Sequence, residues 1–250
     1  MPELPDAARE VIQGLWIGGA LTPLEQLSIR SFLAHGHPYH LYVYDRVEGV
    51  PPGTVVRDAA EILPPDEPGR HRWLSGFSNF FRYKLLLERG GWWSDLDAVC
   101  LRPFRFHSEH VFSSEHRSSE DMTEVVNTGH IRAPAGSAAM ELAWSKCHRI
   151  DLATVTWGGS GPRLMQEVVA ELGMAGCARP ARTFCPVPYY LWFDVVTPGR
   201  PWDHLDDGVY AVHLWNSLWQ RHEIDKCASF APNCLFERLK REYGVATASA

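Results

Sequence analysis

The stretch from Phe77 to Asp97 constrains the fold of this chain more than any other. Phe77 to Arg89 reads as a helix, because Phe77, Phe80, Phe81, Leu85, Leu87 and the stem of Lys84 form a broad apolar side. Gly90-Gly91 is the expected stop signal. Trp92-Trp93-Ser94 then reads as a short aromatic strand that runs into Asp95 and Asp97. In extended backbone, residues i and i+2 share a face, so the two carboxylates are expected to converge. Convergent carboxylates beside an apolar strand are costly unless something positive sits between them. A hard divalent cation is the natural candidate, and such a cation keeps room for phosphate oxygens. The pair therefore points to chemistry on a nucleotide diphosphate.

Strands and helices alternate around this segment. Val11 to Gly19 reads as a buried first strand closing in a glycine turn. Thr22 caps the next helix, with Pro23 first, Glu25 third, and Leu24, Leu27 and Ile29 on the apolar side. His40 to Asp45 is the second strand. Residues 50–70 read mostly as loop, with Thr54 to Arg57 a short strand. Ala98 to Leu101 continues an extended segment, and Ser108 to Glu124 is polar apart from Val111-Phe112. Val125 to Ile131 reads as another strand, and a helix runs from Pro134 to Cys147. The loop Gly158 to Pro162 opens onto a helix carrying Leu164, Met165, Val168, Val169 and Leu172, and Gly208 to Trp215 reads as a last strand. Thr247 to Ala250 is expected to fray. The alternation predicts one α/β domain over residues 1–250, a sandwich with a mostly parallel central sheet flanked by helices.

Composition narrows the partners. A net charge of −6 argues against a general electrostatic grip on nucleic acid. No apolar run approaches the roughly 18 residues of a membrane span. Met1 to Asp6 lacks the basic-then-apolar pattern of a signal peptide. The six cysteines form no CxxC pair and are read as reduced thiols of a cytoplasmic protein. A zinc site from Cys177, Cys185, Cys227 and Cys234 would have a spacing unlike the common frameworks.

An Asp-x-Asp alone does not separate a metal site from a solvated turn, but its company here does. Leu15-Trp16-Ile17-Gly18-Gly19, Ser78-Asn79-Phe80-Phe81-Arg82, Gly90 to Asp97, Asn127, Gly161-Pro162 and His213 to Trp219 occur in order along the chain. This set resembles the Asp-x-Asp sugar transferases with the GT-A fold. Their family includes Och-type mannosyltransferases, globotriaosylceramide-type α-galactosyltransferases and the glucosyltransferase domains of large clostridial toxins. The resemblance implies a metal-dependent, retaining glycosyltransferase acting on a nucleotide diphosphate sugar, chiefly a UDP-sugar. The acceptor would be a sugar, a lipid-linked glycan, a small molecule or a protein. Mn²⁺ or Mg²⁺ would be held by Asp95, Asp97 and His213, and the catalytic set would be Asp95, Asp97 and Arg82. Trp16 would stack on the base, with Ile17, Leu74, Ser78, Asn79, Arg82, Trp93, Asn127, Ser217 and Trp219 completing the donor site.

Asn79 stands where that family has an aspartate, so it can bond sugar hydroxyls but carries no charge. Trp93 replaces a tyrosine. Several residues also have plainer explanations. Trp16 could serve core packing, and Trp215 and Trp219, four apart, could form one helical core stripe. Arg82 lies close to an apolar helix side, where an unpaired guanidinium is costly. Two other functions stay open: a metal-dependent nucleotidyltransferase or nucleotide-sugar pyrophosphatase, and a non-catalytic sugar-binding protein suited to the 10 tryptophans.

Overall fold

The computed structural model describes residues 10–65, 74–150, 158–202, 205 and 207–246. The expectations for Met1 to Asp6, for residues 66–70 and for Thr247 to Ala250 lie outside them.

β1 (Ile12–Trp16) leads into α1 (Pro23–Ala34), β2 (Tyr39–Val43) and β3 (Thr54–Asp58). α1 starts where the sequence places it: the Thr22 N–H donates to the Glu25 carboxylate at 2.8 Å, half of a capping box. α2 (Leu74–Arg89) begins three residues before the expected start and buries Phe77, Phe80, Phe81, Tyr83, Leu85 and Leu86. Leu87 and Lys84, expected on the apolar side, are half-buried. Gly90 ends the helix at φ +65°, its N–H donating to the Leu86 carbonyl at 3.0 Å. A Cβ there would lie 2.4 Å from the Ala135 nitrogen, so only glycine lets the two backbones meet.

β4 (Gly91–Ser94) and β5 (Ala98–Cys100) follow. The chain continues through β6 (Val111–His116), β7 (Glu124–Ala133), α3 (Ala138–Cys147) and α4 (Pro162–Glu171). Short 3₁₀ turns then lead to β8 (Ala211–His213), α5 (Asn216–Arg221) and α6 (Leu235–Glu242).

Six strands form the central sheet in the order β3-β2-β1-β4-β7-β6. The β1–β2, β2–β3 and β1–β4 pairs are parallel, and β7 runs against both of its neighbours. The expectation of an α/β sandwich with a mostly parallel sheet holds. Trp92 and Trp93, adjacent on β4, enter different cores. One core contains residues of α1, α6 and β8, the other residues of α2, α3 and α4. β5 leaves the main sheet to pair antiparallel with β8. None of the helices among the described residues is long and apolar enough to cross a membrane.

Three local expectations are corrected. The polar stretch after Ser108 contains a six-residue strand, because Ser113 and Ser114 are buried and the Ser113 hydroxyl serves the backbone. The helix expected from Pro134 starts at Ala138. The last strand stops at His213, and Trp215 adopts the left-handed conformation (φ 59°, ψ 53°) that opens α5.

Sheet order also places the site. The chain builds outward from β1 through β2 to β3, then crosses back to lay β4 on the other flank of β1. A crevice forms at the carboxyl ends of two strands where the winding reverses in this way. Here those ends carry Trp16 and Ile17 on one side and Asp95 on the other.

Candidate active site

A cavity of about 320 Å³ opens at this reversal, within the size range of small-ligand sites. Trp16, Ile17, Leu74, Ser78, Asn79, Arg82, Trp93, Asp95, Asp97, Asn127, His213 and Ser217 all line it. Of the residues expected at the site, only Trp219 does not.

Asp95 and Asp97 do not converge by strand alternation. β4 ends at Ser94, and the pair sits on a turn closed by the Ala98 N–H on the Asp95 carbonyl at 3.3 Å. The two carboxylates then have different partners. Asp95 Oδ1 accepts from Trp93 Nε1 at 2.8 Å and pairs with Arg82 Nη2 at 3.1 Å. Arg82 is held by Ser78, whose carbonyl accepts from Nε at 3.3 Å and whose hydroxyl accepts from Nη2 at 3.1 Å. Arg82 Nη1 donates to the Thr128 carbonyl, and the guanidinium lies 4.8 Å from the centre of the Trp93 ring. Each nitrogen of the buried guanidinium thus has a protein partner, which answers the cost raised by its place on the helix.

Asp97 faces the C-terminal half of the chain. Its Oδ1 lies 3.1 Å from His213 Nε2, and its Oδ2 accepts the Asn216 N–H at 2.7 Å. Burial alone would push Asp97 up. The His213 charge and hydrogen bond, with the Asn216 N–H, outweigh it and hold the carboxyl at about 2. Burial would likewise lower His213, yet Asp97 holds its imidazole well above the usual histidine value. Burial pushes Asp95 up despite Arg82, and the neighbouring Asp97 charge adds to the rise.

A bulge in β7 supplies the adjoining wall. Phe112 pairs with Ile131 but Ser113 pairs with Asn127, so the partner strand carries extra residues between them. Ser113 Oγ accepts from the His130 N–H at 3.1 Å, satisfying backbone freed by the distortion. The bulge brings Thr128 to Arg82, and the Gly129 carbonyl accepts the Asp95 N–H at 2.8 Å. A Cβ on Gly129 would lie 3.2 Å from His213 Cε1, so glycine keeps the histidine close. Asn127 Nδ2 donates to Glu115 Oε2 at 3.0 Å.

The remaining expected residues have definite places. Trp16 is half-buried, and Lys226 Nζ lies 5.7 Å from its ring centre. Leu74 is exposed at the rim. Asn79 Nδ2 donates to Ser160 Oγ at 3.0 Å, tying α2 to the Gly158–Pro162 loop, of which Gly158 and Pro162 reach the cavity. Trp219 is a correction. It is fully buried against Trp192, Phe230 and Phe236, and its Nε1 donates to the Leu214 carbonyl at 2.7 Å. Trp215 occupies the cavity wall instead, stacked on His213 with ring centres 4.0 Å apart. Its left-handed backbone breaks the helical stripe that a four-residue spacing suggests. The i, i+2 relation to His213 on an extended segment was the available signal. Glu115 and Asn216 also line the cavity; Asn216 falls within the His213 to Trp219 motif without having been singled out, and nothing in the sequence around Glu115 marks it.

Among the described residues, Asp95, Asp97 and His213 form the one group of three or more candidate metal ligands, with ligand atoms within 4.8 Å of one another. The four cysteines considered for zinc do not gather. Two carboxylates and an imidazole suit a cation such as Mn²⁺, and carboxylates also suit Mg²⁺. Asn216 lines the same cavity, and its buried Oδ1 has no protein hydrogen-bond partner among the described residues.

No protein-family model and no curated protein matches the chain. Among solved structures it is similar to the PaToxG glycosyltransferase, over 66% of this chain and 70% of that one, at 13% identity and a TM-score of 0.48. It is similar to the UDP-bound glycosyltransferase domain from the YGT toxin over 96% of this chain and 87% of that one, at 8% identity and a TM-score of 0.43.

Proposed function

We propose that this chain is a metal-dependent glycosyltransferase that moves a sugar from a UDP-sugar to an acceptor hydroxyl with retention of anomeric configuration. The observation that carries the reading is the convergence of Asp95, Asp97 and His213 in a cavity at the winding reversal, beside the buried Arg82.

Asp95, Asp97 and His213 would hold Mn²⁺ or Mg²⁺, which when bound supplies electrostatic stabilisation of the leaving diphosphate. Arg82, fixed by Ser78, Thr128 and Asp95, orients the donor sugar together with Asn79. Trp16 presents an aromatic face for the base at the end of β1, with Ile17 beside it. Leu74 lies at the mouth. Ser217 and the Asn216 amide lie on the diphosphate side, and Trp215 takes the covering place that Trp219 cannot. In the transfer, the bond from the anomeric carbon to the phosphate oxygen breaks and a bond to the acceptor oxygen forms. The acceptor proton passes to a donor phosphate oxygen, so no protein base is required.

Incubation with Mn²⁺ and a panel of UDP- and GDP-sugars tests the reading, because water can replace the acceptor. Release of UDP with free sugar is expected. Release of UMP with a sugar phosphate would favour a pyrophosphatase, and donor binding with no turnover would favour a sugar-binding protein.

A further inference from the structure

Three carboxylates line the cavity, and two of them have charged partners. Asp95 faces Arg82, and Asp97 faces His213. Glu115, on β6, is the third. It is 9% exposed, and among the described residues it has no cation within salt-bridge distance. Among the described residues, its side chain accepts a hydrogen bond from the Asn127 amide alone, at 3.0 Å. That amide has little freedom to turn, since Asn127 Oδ1 accepts the Gly129 N–H at 2.6 Å inside the β7 bulge.

The resting protein compensates this acid less than the other two, with one hydrogen bond and a charge that is not in contact. Burying a carboxylate against one neutral amide is unfavourable, and a hydrophobic residue would fill the space at less cost. Burial pushes the Glu115 carboxyl up, against the pull of the His213 charge and the Asn127 hydrogen bond. The site makes sense when a positive charge appears beside it. Glycosyl transfer creates one, because the reacting sugar becomes oxocarbenium-like as its bond to the leaving oxygen lengthens.

Resting on the glycosyl-transfer reading, we infer that Glu115 is a catalytic residue whose carboxylate faces the transferred sugar and stabilises its transition-state positive charge, with Asn127 as its positioning residue. Glu115 forms no bond and takes no proton. The anomeric carbon exchanges a phosphate oxygen for the acceptor oxygen, and the acceptor proton leaves with the diphosphate. A carboxylate already fixed in a largely buried wall needs no reorganisation at the moment of reaction, which is where such electrostatic help is largest.

The test uses the full chain with Mn²⁺ and the donor that the unaltered protein hydrolyses fastest. Glu115→Gln preserves shape and can still accept from Asn127. It should lower kcat for nucleoside diphosphate release on the order of 100-fold, while KM for the donor stays within about threefold. Sodium azide, a nucleophile that needs no deprotonation, should not restore turnover of this variant. A kcat within about threefold of the unaltered protein would overturn the inference. So would a raised KM at constant kcat, which marks simple binding, or azide rescue, which marks a base. If Glu115→Gln fails to fold, Asn127→Ala decides: about a tenfold loss in kcat at constant KM supports the inference, and no loss overturns it. If the unaltered protein releases no nucleoside diphosphate from any donor, the glycosyl-transfer reading falls and takes this inference with it. An active parent with an equally active Glu115→Gln refutes the Glu115 role alone.

Discussion

Asp95 and Asp97 are separated by a single residue, yet they belong to differently built halves of the cavity. Asp95 is held from its own neighbourhood. Trp93 precedes it on β4, and Arg82 sits on α2, the helix that leads directly into that strand. Asp97 is held from across the chain: His213 is 116 residues away, and the Asn216 N–H comes from the start of α5. The local half has a permanent cation and the distant half a titratable one. The cation of the Asp95 half therefore keeps its charge at any working pH, whereas the His213 cation of the Asp97 half can give up its proton when a metal binds.

That division is open to attack by mutation and by pH, and the largest effect belongs to the distant half. Asp97→Asn removes a ligand and a charge while keeping the hydrogen bond from the Asn216 N–H. Turnover of the donor should fall at least about 1,000-fold, with a circular dichroism spectrum like that of the parent. Retained turnover would mean that the acid pair is not the metal clamp.

A smaller effect separates the two tryptophans that sequence spacing groups together. Trp219→Ala should cost about 3–5 kcal/mol of stability, since it empties a fully buried site. Trp215→Ala should cost less stability and more activity, because its ring lies on the cavity wall. Denaturant unfolding alongside donor turnover checks both, and equal stability losses would contradict the placement.

The smallest effect is a dependence on pH. His213 is held protonated above the usual histidine range by Asp97, and a protonated imidazole cannot bind a metal. Metal binding must then release a proton. Apparent Mn²⁺ affinity should rise about tenfold per pH unit below the raised His213 value and level off above it. Calorimetry in buffers of different ionisation enthalpy measures the released proton, and a flat profile would remove His213 from the ligand set.

The same contrast explains what could be read without coordinates. The first half of the chain was legible because each element carries its own local signal: the Thr22–Glu25 cap, the apolar face of α2, the Gly90 stop. Arg82, Trp93 and Asp95 were legible for the same reason. Beyond residue 110 the determinants are long-range. β6 looks polar because Ser113 and Ser114 are buried serines, and Ser113 serves a bulge that only pairing with β7 creates. Glu115 gains its meaning from that bulge. Trp215 and Trp219 exchange roles because one residue adopts a left-handed backbone, which no spacing rule anticipates at a tryptophan. His213 was found only because the ordered motifs carried it along.

In the proposed function, Asp95, Asp97 and His213 would present a metal to a nucleoside diphosphate. Titrating UDP into the protein by calorimetry, once with Mn²⁺ and once with EDTA, tests it without a known acceptor or sugar. UDP should bind at least about tenfold tighter with Mn²⁺, a gain lost in Asp97→Asn. UDP binding equal in Mn²⁺ and EDTA, or absent from both, would contradict it.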